Sequence, residues 1–257
     1  MDFTLDKYIY LCRAILGLRC PVMTVEQYLA RKEPSGLCIV LRHDVDRHGS
    51  RATRMAELES DLGVRATYYL RTTPKLLEPS IIKRIRDAGH EVGYHYETLA
   101  TANGDYERAI ALFERELARL REYVPVRTIS MHGSPLSEWN NLNLWERYRF
   151  EDFDLAGDAV LSMEDRAPYY FTDTGRSWHV GAGNLRDKMN SLAALSGVRT
   201  TDDLVGFLEN RPDCAVCINA HPNRWASNAV SWTVSLAEDW LVNCVKRAVR
   251  FARRERG

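Results

Sequence analysis

The apolar run Leu37-Cys38-Ile39-Val40-Leu41 ends in a polar cluster, Arg42-His43-Asp44-Val45-Asp46. An unbroken apolar run of this length, with the turn residues Pro34-Ser35-Gly36 before it, reads as a buried strand. Side chains alternate along a strand, so Asp44 and Asp46 share one face and His43 points to the other. Two carboxylates side by side repel each other, and such a pair needs a cation or a retained proton. A metal-dependent hydrolase meets that need by giving one carboxylate to the metal and the other to proton transfer. The plainer reading has Asp46 capping the next helix and Asp44 shaping a turn.

Three later histidines weigh against the plainer reading, because each also follows a predicted strand. Glu91 to Tyr94 leads to His95, Arg127 to Met131 leads to His132, and Ala215 to Asn219 leads to His221-Pro222. Further strands are expected at Ala66 to Leu70 and Tyr169 to Asp173. Helical spacing predicts helices over Leu5 to Leu16, from a Thr24 cap to Arg31, and from a Ser50 cap to Leu62. Others are expected from Pro79 to Ala88, from an Asp105 cap to Leu120, over Asp202 to Asn210, and from Val230 to about Arg253. Asn140 to Trp145 reads as a loop or a short helix. Strands alternating with helices argue for a parallel sheet with right-handed crossovers. Six to eight such strands would close a barrel with its site at the C-terminal strand ends, where Asp44, Asp46, His95 and His132 fall. The expected organisation is an N-terminal helical extension over 1–36 and a single α/β domain over 37–257.

A chain of 257 residues can bury one large core. Its 35 basic and 35 acidic residues leave no net charge to favour nucleic acid. Arg13 interrupts the apolar stretch Tyr8 to Leu18, which argues against a signal peptide and for a cytoplasmic protein. Cys214-Ala-Val-Cys217 is one pair without a second, in a predicted strand where positions i and i+3 face opposite ways, so a structural role is expected. The basic run Lys246 to Arg256 complements a helix C-terminus; the sharper reading is contact with an anionic membrane face.

The order of the motifs resembles the polysaccharide deacetylase (NodB-homology) family, in a divergent branch with a His-Asp-Val-Asp opening. The resemblance rests on Arg42 to Asp46, Gly89-His90-Glu91-Val92-Gly93-Tyr94-His95-Tyr96-Glu97, Met131 to Pro135, Thr172 to Gly175 with Trp178, and Asn219-Ala220-His221-Pro222. It implies a distorted (β/α) barrel binding one divalent metal, zinc being expected. It places the catalytic base at Asp44 and a metal ligand at Asp46, whose roles exchange if the strand is irregular at the intervening Val45. His95 matches the first histidine of the family's second motif. The second histidine, one helical turn on, is replaced by Leu99, so His132 or Glu97 must complete the metal set. His221 corresponds to the general acid and Asp173 to the carboxylate that orients it. The third motif's arginine is absent from Ser130-Met131-His132, which leaves Arg42 or Arg224 to steady the base.

The resemblance then implies removal of an acetyl or formyl group from an acylamino sugar, nucleotide- or lipid-linked, in surface-polysaccharide (O-antigen or lipopolysaccharide) biosynthesis. Tyr96, Trp178, Trp225 and Arg224 are the expected substrate contacts, with packing as the competing role for the aromatics. The alternatives are a deacetylase-like sugar-binding or assembly module without activity, and a hydrolase of a non-sugar amide. The oligomeric state is not specified by these residues.

Overall fold

Helix and strand alternate along the chain in the computed structural model, which describes residues 1–32, 36–178, 192–210 and 213–237. The order is α1 (Leu5–Gly17), β1 (Val22–Met23), α2 (Val25–Leu29), β2 (Cys38–Val45), α3 (Gly49–Leu62), β3 (Thr67–Leu70), α4 (Pro79–Asp87) and β4 (Glu91–Tyr96). Then come α5 (Thr98–Thr101), α6 (Tyr106–Arg121), β5 (Thr128–Met131), β6 (Gly157–Asp158), β7 (Tyr169–Thr172), α7 (Thr201–Glu209) and β8 (Ala215–Ala220). Short 3-10 turns occupy Asn141–Glu146 and Pro222–Arg224. The stretch 229–237 is helical, and the rest of the expected final helix, with the basic run after it and Cys244, lies outside the described residues.

The eight strands form one parallel sheet in the order β6-β5-β4-β3-β2-β8-β7, with β1 also paired to β2. The sheet curls into a half-barrel with helices packed on it, the distorted (β/α) barrel that was expected, and no pairing joins β6 to β7 among the described residues. Strand alternation sorts its side chains into two layers. Cys38 and Val40 pack on the concave side with Tyr69, Tyr170 and Cys217. Ile39, Leu41 and Val45 pack on the other side, in the cluster that contains Leu11 and Ile15 of α1 and Met55 of α3.

Local chemistry sets most helix starts. Thr4 accepts from the Lys7 backbone N–H, Asp105 accepts from that of Arg108, and Thr24 and Thr200 form capping boxes with Gln27 and Asp203. Ser50 is not a cap. α3 begins one residue earlier, after His48 in the left-handed conformation (φ 56°), with no side-chain cap. Gly93 lies where strands crowd: a Cβ there would come within 2.4 Å of the Tyr69 ring and 2.9 Å of the Thr128 carbonyl.

The first two elements, expected as a helical extension, pack with the rest of the described chain. β1 joins the sheet, α1 packs on α7 and α3, and Phe3, Tyr8 and Leu11 lie in the main core. Cys12, Cys38 and Cys214 form no disulfide. No described helix is long and apolar enough to cross a membrane.

One buried acid makes stability depend on pH. Asp158 at the end of β6 accepts from the Val160 and Leu161 backbone N–H groups and from the Tyr96 hydroxyl. Burial outweighs these bonds and pushes its pKa up to about 6. The folded state therefore holds this proton in a range where the unfolded chain, ionising near the ordinary value of 3.8, has lost it. Its contribution to stability is full below about pH 4 and is lost as pH rises through about 6, a change of roughly 3 kcal/mol at most. Asp158→Asn is expected to flatten that decline relative to wild type in denaturant unfolding between pH 4 and 7; parallel curves would show that the carboxyl does not titrate this way.

Candidate active site

The strand ends deliver the expected residues to one place because of parity. β2 stays regular through Val45, so Arg42 and Asp44 share the concave face and His43 turns away. In the parallel register Arg42 stands beside Asn219 of β8, and His95 of β4 beside Ser130 of β5. His132 follows β5 and is held by its own N–H donating to the Tyr96 carbonyl at 2.7 Å.

Asp44 is buried and firmly held. Its Oδ2 accepts from Arg42 Nη2 at 3.1 Å and from Asn219 Nδ2 at 2.8 Å, while Ser130 Oγ lies 3.4 Å from Oδ1. Burial alone would raise its pKa; the Arg42 guanidinium, with His95, His221 and the Asn219 bond, holds it below the ordinary value. Arg42 is itself fully buried, donating also to the Ala159 carbonyl at 3.1 Å. It is thus Arg42, and not Arg224, that steadies Asp44. Asn219, part of the motif that ends in His221-Pro222, gains from this contact a role that the motif alone did not assign.

Asp46, His95 and His132 converge. The Nε2 atoms of His95 and His132 lie 3.4 Å and 3.6 Å from the same oxygen, Asp46 Oδ1. The far nitrogens are engaged: His95 Nδ1 lies 3.0 Å from the Ser130 carbonyl and His132 Nδ1 2.7 Å from Glu97 Oε2. An Nδ1–H donating to those oxygens leaves both Nε2 lone pairs directed at Asp46, the tautomer a metal-binding imidazole needs. Burial would raise the Asp46 pKa, but the His95 contact and the charges of His132 and His221 bring it well below the usual range. For His95, burial pushes the pKa down, and Asp44 and Asp46 more than reverse this.

Among the described residues, no three His, Cys, Asp or Glu side chains already stand in a formed metal cage. The donor set nevertheless fits a divalent ion. Asp46 Oδ1 is buried and no hydrogen bond reaches it, a state that a cation between it and the two imidazoles would relieve. Two nitrogens and one carboxylate oxygen, with positions left open, match a catalytic zinc site. Glu97 is turned to the outer side of His132, so its carboxylate backs the ring and does not complete the set.

A second cluster stands beside the first. Asp173, just past β7, accepts from four donors: His221 Nδ1 at 2.6 Å, the His221 backbone N–H at 2.9 Å, Arg224 Nη1 at 2.7 Å and Trp225 Nε1 at 2.9 Å. Burial would raise its pKa; Arg224 and His221 hold it down at about 2. It is therefore an ionised carboxylate that fixes the His221 ring.

The expected substrate contacts are corrected. Tyr96 follows His95, so alternation turns it outward, where it is fully buried against Phe113 and Trp145. Trp178 is fully buried, its indole N–H bonded to Thr201 Oγ1 and its ring near Phe3. Trp225 is 1% exposed and Arg224 is committed to Asp173. None of the three aromatics offers a free ring face to a sugar. Trp139, in the loop after His132, is 41% exposed. His90 staples helix to strand, its Nε2 donating to the Ala56 carbonyl and its Nδ1 accepting from the Ala66 N–H. His179 lies outside the described residues.

No protein-family model matches the chain, and no curated protein does. Among solved structures, a CE4 family pseudoenzyme from Bacillus anthracis is 15% identical with a TM-score of 0.44, the match covering 82% of this chain and 60% of that one. The peptidoglycan deacetylase of Bdellovibrio bacteriovorus is 12% identical, with a TM-score of 0.45 and coverage of 86% and 56%. A polysaccharide deacetylase from Bacillus cereus is 15% identical, with a TM-score of 0.42 and coverage of 82% and 89%. The chain thus spans less than two thirds of the length of the first two. Its structural neighbours are CE4 family polysaccharide and peptidoglycan deacetylases, a pseudoenzyme among them.

Proposed function

We propose that this chain is a metal-dependent hydrolase that removes an N-acyl group, acetyl or formyl, from an acylamino sugar. The observation that carries the reading is the convergence of His95 and His132 Nε2 on one unbonded oxygen of Asp46, with an ionised carboxylate and a carboxylate-backed histidine beside it. The substrate class follows from the motif resemblance: a nucleotide- or lipid-linked sugar used in surface-polysaccharide assembly, handled in the cytoplasm.

Asp46, His95 and His132 would hold the ion, which when bound acidifies water and polarises the acyl carbonyl. Asp44, kept ionised by Arg42 and Asn219, accepts the proton of the attacking water. His221 carries a proton on Nδ1 toward Asp173 and presents Nε2 to the leaving nitrogen, which must be protonated before the C–N bond breaks. Asp173 fixes the orientation of the ring, as the carboxylate of a catalytic triad does.

The binding-module reading has one observation in its favour: Leu99 is fully buried in the core where the resemblance implies a ligand. Metal content decides between the two. One divalent ion per chain, taken up by metal-free protein and lost in Asp46→Ala and His95→Ala, is expected by elemental analysis; a chain that takes up none is the binding module. Asp44→Asn is expected to keep the metal and lose turnover of acylamino sugars by about 10²-fold or more; wild-type rates in this variant would remove Asp44 as the base. Asp173→Asn is likewise expected to keep the metal and slow turnover by about 10²-fold, and loss of metal there would show that the two clusters are not separate in role.

A further inference from the structure

Strand β4 ends at Tyr96, and Glu97, two residues after His95, is the cap residue that leads into α5. Its two carboxylate oxygens do different things. Oε1 pairs with the Arg71 guanidinium, which projects from the end of β3. Oε2 accepts from His132 at 2.7 Å and from Ser134 Oγ at 3.2 Å. Asn141, fully buried, closes the arrangement. Its Nδ2 donates to the His132 carbonyl at 2.7 Å and lies 3.2 Å from Ser134 Oγ, and its Oδ1 accepts from the Ala100 N–H at 2.9 Å. The short helix α5, which carries Leu99 in the core, is thereby tied to the loop that carries His132.

We propose that Glu97, anchored by Arg71, is the positioning residue that makes His132 the third metal ligand, compensating on β5 for the histidine that Leu99 replaces on α5. The inference rests on the metal reading above and deepens it. A histidine following a strand, in a loop, has two free torsions and two tautomers. A carboxylate behind Nδ1 fixes the ring plane, puts the proton on Nδ1 and leaves Nε2 as the lone-pair donor. Arg71 serves Glu97 in turn. A carboxylate that accepted only from His132 and Ser134 could swing toward the ion and become a ligand itself. The guanidinium draws its other oxygen toward β3 and keeps the negative charge behind the ring. Ligands on β2, β4 and β5 with this backing account for a complete donor set without the helical histidine.

The test is zinc affinity of the full-length, metal-free chain, measured by competition with a chromophoric chelator, for wild type, Glu97→Gln, Glu97→Ala and His132→Ala. Zinc is expected to bind wild type once per chain, about 10-fold more weakly to Glu97→Gln and up to about 100-fold more weakly to Glu97→Ala. The thermal midpoints of the metal-free forms should agree, which separates positioning from folding. Nitrogen-15 imidazole spectra of metal-free protein give a second readout: His132 should be the Nδ1–H tautomer in wild type and a mixture in Glu97→Ala. Wild-type affinity in both Glu97 variants would overturn this inference and leave the proposed function standing. Wild-type affinity in His132→Ala would do the same. A wild type that binds no zinc would overturn both.

Discussion

The guanidinium of Arg42 sits fully inside the concavity of the sheet, and the site is arranged around it. A buried cation is tolerated only when an opposite charge pairs with it. Asp44 supplies the charge, the Ala159 carbonyl takes a second N–H, and the rings of Tyr69 and Tyr170 face the cation at 5.7 Å and 5.5 Å. Asn219 bridges Asp44 Oδ2 and the Tyr170 hydroxyl. One charge thus links β2, β3, β7, β8 and the segment after β6, and it also holds Asp44 ready as a base. Structure and proton transfer depend on the same ion pair.

The reverse face of β2 carries a second buried polar network. Glu59 of α3 accepts from His43 Nε2 at 2.8 Å, from Tyr68 at 2.6 Å and from Tyr8. Burial would raise the Glu59 pKa, but His43 holds it below the ordinary value, so this too is an ion held under the sheet. His43 Nδ1 lies 3.0 Å from the Ala220 carbonyl, one residue before His221. β2 and β8 are therefore pinned to each other on the helix side while Asp44 and Asn219 pin them on the concave side. The rim that carries Asp46 and His221 is rigid from both faces.

Alternation explains how much of this could be read from the chain. Asp44 and His95 emerge from period-two reasoning once their strands are recognised, with Asp46 and Glu97 just past the strand ends. The same rule, applied one residue further, would have turned Tyr96 away from the site. Trp178 and Trp225 are harder. Their burial depends on Phe3 and Tyr8 packing over them, and residues 1–36 read as an extension because two-residue β1 is too short to show any period. Asn219 and Arg71 escape for another reason. Each gains its role from a residue on a neighbouring strand, and the pairing of β8 with β2 joins positions more than 170 residues apart. Such register is set by the core as a whole and leaves no local mark.

The sheet is open, with β6 and β7 as unpaired edges among the described residues. The residues proposed to hold the ion come from three strand ends, β2, β4 and β5, and none comes from a helix. β3, whose end carries Arg71, lies between β2 and β4 in the sheet. An ion there would be a keystone set into the rim of an arch, tying together strands that hydrogen bonds join only lower down. Its binding energy would be felt as resistance to splaying of the sheet, so occupancy and the stiffness of this half of the molecule become a single property.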